Sequence, residues 1–224
     1  MSKSMRLSML AATALLLVGV NGSVQAQQLQ QSPDTTFFVT SVGLGKGADL
    51  GGLDGADKQC QTLATMIGAG GKTWRAYLSS TANAPGGVVN ARDRIGKGPW
   101  QNVKGVVVAQ NVDDLHSSSN KLGTANSLTE RGNVIAGVGY SPNYHDLLTG
   151  TMPDGRAFPS NLNMTCSNWT SSNFGTAMLG HVDKTGLTDT EQARSWNSTH
   201  QSRDCTQDGL RSTGGNGLFY CFAQ

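Results

Sequence analysis

The chain has 224 residues, of which 14% are charged and 29 are glycine, whereas ordinary domains carry about 25% charged residues and about 7% glycine. Setting residues 1–26 aside removes Lys3 and Arg6 and takes the 17 Lys+Arg down to 15, equal to the 15 Asp+Glu. That balance excludes a general electrostatic attraction to nucleic acid or to an anionic membrane, and low charge with abundant glycine, serine, threonine and asparagine indicates a loop-rich extracellular fold.

In chain order, Lys3 and Arg6 precede an apolar run from Leu7 to Val20 and the small-residue stretch "SVQA" ending at Ala26. This is the pattern of a secretory signal peptide over 1–26. No later stretch approaches about 18 apolar residues, so a secreted or periplasmic protein without membrane insertion is expected. Residues 27–35 are polar and predict a flexible lead-in, leaving 36–224 as one domain. Order is expected to begin at "FFVTSV", Phe37 to Val42, an aromatic and β-branched strand. From Asp54 to Ile67, the residues Ala56, Cys60, Leu63, Ala64 and Ile67 recur at helical spacing and predict a helix stopped by Gly68. In "KTWRAYLSS", Trp74, Ala76 and Leu78 alternate with Arg75 and Tyr77, a strand with one buried face. Residues 79–217 are mostly turn formers with short apolar pieces, and "GLFYCFAQ" closes the chain as a strand.

The loop "VGLGKGADLGG" between the first strand and the helix satisfies a relaxed dinucleotide fingerprint through Gly43, Gly45 and Ala48. That motif works only inside a βαβ unit, and strand and helix do not alternate again here. "GAGGKT" ends like a P-loop but leaves a helix and enters a strand, the reverse of the required order. Both are read as glycine-permitted connections. The four cysteines, Cys60, Cys166, Cys205 and Cys221, form no C-x-x-C or Cys/His zinc spacing. An even count in an exported chain indicates two disulfides, for which three pairings are open.

The segment "GGLDGADKQCQTLATMIGAGGKTWRAYLSS" resembles the corresponding part of endostatin, the C-terminal domain of certain collagens and a variant of the C-type lectin fold. The shared elements are Gly-Ala-Asp before Gln-Cys in the helix and the Arg-Ala-aromatic-Leu-Ser-Ser strand. "PDGRAFPSNLNMTCSNWTSS" and "CTQDGLRSTGGNGLFYCFAQ" extend the similarity to the later cysteines, and "ARDRIGKGPW" also looks like exported bacterial proteins of lectin type. The resemblance spans roughly Phe37 to Phe222. It implies an α+β, C-type lectin-like (endostatin-like) single domain with nested disulfides, Cys60 to Cys221 and Cys166 to Cys205.

The function implied is binding, of an extracellular or envelope carbohydrate, without catalysis. Sugar-binding relatives share a calcium ion between protein and sugar, but Met152 and Ser198 replace two of the oxygen ligands expected beside Pro153-Asp154 and Trp196-Asn197. No cofactor or metal is therefore assigned, with calcium as the one considered. Endostatin's zinc and heparin features do not carry over, because the expected N-terminus lacks His-x-His and the charge is balanced. The ligand surface is expected around Asp154, Trp169, His181, Asp183, Trp196 and Asn197, which supply stacking faces and hydrogen bonds. Two alternatives are an envelope protein-interaction module and an exported hydrolase using His145-Asp146 or His181-x-Asp183.

Overall fold

The computed structural model describes residues 32–81, 84 and 86–224; the expected leader and residues 27–31 lie outside the described residues. The architecture is α+β with two disulfides. Strand β1 (Phe37–Val39) and helix α1 (Gly52–Met66) open it, followed by β2 (Trp74–Ala76), α2 (Ala91–Arg94), β3 (Trp100–Gln101), β4 (Val107–Ala109) and α3 (Val112–Leu115). The second half holds β5 (Asp146–Leu148), the single turn α4 (Cys166–Trp169), β6 (Leu179–His181), α5 (Gln207–Thr213) and β7 (Gly215–Ala223).

The nine-residue β7 is the axis of the sheet. Its C-terminal half pairs antiparallel with β1 and β2, its N-terminal half pairs parallel with β5, and β5 pairs antiparallel with β6. Side chains of β7 alternate between two cores, as the two-residue period of a strand requires. Phe219 and Cys221 face a cluster with Phe38, Trp74, Trp169 and the buried side of α1. Leu218, Tyr220 and Phe222 face a second cluster with Phe37, Tyr77, Trp100 and Trp196.

A sheet buried on both faces explains where the expectations shift. Tyr77, placed on an exposed face by alternation, has no exposed surface, because its face of the sheet packs against residues 95–135 and 182–196 rather than water. The first strand stops at Val39, and Val42 is half exposed. Helix α1 begins two residues before the expected Asp54 and ends at Met66, with Ile67 as its cap rather than a core residue. Residues 32–35, expected in the lead-in, are tied down: Ser32 donates its N–H to Val103 O at 2.9 Å, and Thr35 is buried. The ordered domain therefore starts before residue 36.

The cysteines pair Cys60 with Cys221, stapling α1 to β7, and Cys166 with Cys205. The glycine-rich loop after β1 lies against the chain before α5. The Ala48 N–H donates to Cys205 O, and Gly47 (φ +59°) passes so close to that carbonyl that a Cβ there would overlap it. Close packing is thus what the loop's glycine serves. Among the described residues no helix is long and apolar enough to cross a membrane.

Candidate functional site

Three of the chain's four histidines meet at one buried carboxylate. His145 and Asp146 stand at the head of β5, where the Asp146 N–H donates to Gly214 O at 3.0 Å. In the antiparallel register Asp146 is directly opposite His181, the last residue of β6, and directly opposed residues share a face. His200 arrives on the segment running alongside β6: Leu179 N–H donates to His200 O at 2.9 Å, and Thr199 N–H to Leu179 O at 2.7 Å. Two glycines make room. A Cβ at Gly180 would overlap Trp196 O, and one at Gly214 would press to 3.1 Å on His145 Cδ2.

Asp146 Oδ1 lies 3.2 Å from His181 Nε2 and 3.4 Å from Nε2 of both His145 and His200. His181 Nε2 and His200 Nε2 are 3.1 Å apart. The His145 and His181 rings stack with centroids 4.2 Å apart, and His200 meets His181 edge-on. The Asp146 side chain has no exposed surface, and among the described residues no group is aligned to donate a hydrogen bond to either of its oxygens. Buried polar atoms are nearly always hydrogen-bonded, so this carboxylate stands out.

The other ring nitrogens define the tautomers. His181 Nδ1 is 2.8 Å from Ala193 O and His200 Nδ1 is 3.0 Å from Gln201 O. Carbonyl oxygens only accept, so both Nδ1 atoms carry the proton and donate. His145 Nδ1 lies 3.1 Å from Asp183 Oδ1, whose other oxygen accepts from the Val138 N–H. In the neutral imidazoles every Nε2 is then unprotonated and lies within 3.4 Å of Asp146 Oδ1. Burial pushes the Asp146 pKa up, but the attraction that His181, His200 and His145 exert once they are protonated outweighs it and holds the carboxyl down at about 2. The same contact raises the pKa of His200 above its usual value. Three imidazole nitrogens and one carboxylate oxygen form a donor set that a transition-metal ion accepts.

The cluster floors an open cavity of about 500 Å³. Tyr140, 65% exposed, stands on its wall with Asn143, Thr188 and Gln192, and the fully exposed Leu187 lies on its rim.

Comparison of the sequence with models of known protein families and with the sequences of characterised proteins finds no match.

The structure distributes the six expected ligand residues unevenly. His181 is in the cavity floor, and Asp183 backs it through His145. Trp169 has no exposed surface, and its indole N–H donates to Ser79 O at 2.8 Å. Trp196 packs against Tyr77 with ring centroids 4.7 Å apart. Neither tryptophan offers a stacking face to solvent, because both complete the cores that flank the sheet. Asn197 is buried and turns its amide nitrogen to Tyr77 Oη, Met152 O and Pro153 O. Asp154 is half-buried and engaged by Arg156. These two therefore do not point oxygens at a shared cation, although Pro153 and Ser198 line a second hollow of about 450 Å³ that shares Gln192 with the first. His145, Asp146 and His200 were missing from the expected ligand set. Their signal was the pair of short acid–histidine motifs, His145-Asp146 and His181-x-Asp183, with a third histidine downstream.

Proposed function

We propose that this protein is an exported binding module of C-type lectin-like type, and that its carbohydrate site is the cavity floored by His145, His181 and His200. The exposed Tyr140 ring on the wall of this cavity carries the reading. A sugar ring presents an apolar face that stacks on an aromatic ring and hydroxyls that pair with planar amides, here Asn143 and Gln192. The cavity volume lies within the roughly 300–1,000 Å³ usual for small-ligand sites. Two disulfides fit an oxidising compartment.

The test is binding of the oxidised, tag-free chain to a broad glycan array, in calcium and in chelator, beside Tyr140→Ala. Wild type is expected to bind, and the variant to bind about 2- to 10-fold more weakly, since an aromatic contact contributes roughly 0.5–1.5 kcal/mol. Absence of glycan binding by the wild type would overturn the reading. A second reading, recognition of an envelope protein, is favoured by Leu187 and the half-exposed Val138 on the cavity rim; it predicts binding that free sugars do not compete.

A further inference from the structure

We infer that His145, Asp146, His181 and His200 bind one divalent transition-metal ion of the zinc type, through three imidazole Nε2 atoms and one carboxylate oxygen, as a clasp that fixes the cavity floor. The inference stands independently of the carbohydrate reading.

The spacing supports it first. Four donors at roughly 2.0–2.1 Å from a tetrahedral zinc ion stand about 3.3 Å from one another. Here Asp146 Oδ1 is 3.2–3.4 Å from the three Nε2 atoms, His181 and His200 are 3.1 Å apart, and His145, Asp146 and His181 each offer a donor within 4.8 Å of the other two; closing the tetrahedron requires His145 to turn out of its stack on His181. The second support is the lone-pair arrangement. With their Nδ1 protons committed to Ala193 O and Gln201 O, His181 and His200 face each other with two lone pairs. A proton on one Nε2 would relieve one of these contacts, whereas a cation at the centre satisfies all four donors together. The third is the buried Asp146 carboxylate, which accepts no hydrogen bond from any described group and which a metal ion would ligate directly. Finally, each histidine has an outer oxygen partner, Asp183, Ala193 or Gln201. That shell orients imidazoles toward a metal and raises their basicity.

The donor chemistry selects the ion. Calcium requires six to eight oxygens and magnesium an octahedron of oxygens, whereas three nitrogens and one carboxylate suit zinc and its neighbours. Four protein donors fill a tetrahedral sphere, so the ion is structural rather than a Lewis acid awaiting substrate. It would join the head of β5, the end of β6 and the returning segment at residue 200, three stretches distant in sequence.

The experiment uses the oxidised, tag-free chain, stripped with chelator, dialysed and titrated with zinc and separately with cobalt(II), with no glycan present. One equivalent of zinc is expected to bind, and bound cobalt is expected to show the intense visible bands of a four-coordinate ion, lost on adding zinc. His200→Ala removes a half-exposed side chain, leaves the core packing in place and is expected to weaken zinc binding by at least about 100-fold. Asp183→Asn, acting through His145, is expected to weaken it about 10–100-fold. Failure of the wild type to take up stoichiometric zinc, a weak octahedral cobalt spectrum, or wild-type affinity in His200→Ala would each overturn the inference. Because metal uptake is read without sugar, a negative glycan array leaves it intact, and a negative titration leaves the carbohydrate reading to its own test.

Discussion

Two buried aspartates show how differently one residue type can be satisfied. Asp57, on the buried face of α1, accepts hydrogen bonds from Ala76 N–H at 2.9 Å, Arg75 at 2.7 Å and Arg94 at 2.8 Å. Removing one partner of a buried ion pair leaves the other charge uncompensated, at a cost of about 3–5 kcal/mol. Because Arg75 is more than a third exposed, Asp57→Ala is expected to cost about 3 kcal/mol, measured by urea unfolding of the oxidised protein. Among the described residues Asp146 has no such donors. In chelator, Asp146→Asn is expected to stay within about 1 kcal/mol of wild type, because a neutral amide can donate to an Nε2 lone pair. With zinc present, only the wild type should gain stability. Equal zinc-induced shifts in both proteins would contradict the role given to this carboxylate.

Among the elements, α4 is the least expected from propensity. Its four residues, Cys166, Ser167, Asn168 and Trp169, all have φ between 45° and 66°, the left-handed region that costs non-glycine residues roughly 1–2 kcal/mol each. The turn persists because its neighbours determine it. Cys166 is bonded to Cys205, Trp169 is buried, and Asn168 Oδ1 accepts from the Thr81 N–H at 2.8 Å. Ser167 is exposed, and its backbone N–H donates to Asn163 Oδ1, a bond that glycine would keep. Ser167→Gly is therefore expected to raise stability by about 0.5–1 kcal/mol, the gain from relieved strain less the added entropy of the unfolded chain. A loss of stability in chemical denaturation would show that the hydroxyl, not the backbone, is what matters there.

At the scale of the whole molecule, the two disulfides close loops of very different length, with sequence separations of 161 and 39. Chain entropy then assigns about 5 kcal/mol to Cys60–Cys221 and about 4 kcal/mol to Cys166–Cys205. Replacing each pair by serine should preserve this order in midpoint denaturant concentration. The inverse order would mean that holding the left-handed turn of α4 outweighs loop closure. The shorter bridge also anchors the glycine loop after β1, since Cys205 O receives the Ala48 N–H.

Sequence alone was enough for what depends on local periodicity and composition. The helix around Cys60 is visible in the spacing of Ala56, Cys60, Leu63 and Ala64, all of which are buried. The strands at Phe37, Trp74 and the C-terminus are visible in their aromatic and β-branched runs, and the α+β class follows from them. Low charge and an even cysteine count pointed to a disulfide-bonded, loop-rich domain. Periodicity does not report whether the second face of the sheet meets water, so alternation alone puts Tyr77 on the wrong side. Sequence offers the tryptophans as stacking faces because exposure is a property of packing: only the assembled cores place Trp169 and Trp196 inside. The convergence of the histidines on one carboxylate is decided by tertiary structure. His145, His181 and His200 stand in three segments of turn-forming sequence with no shared spacing. The register of β5 against β6, together with the return of residues 199–201 along β6, brings their Nε2 atoms to one carboxylate oxygen.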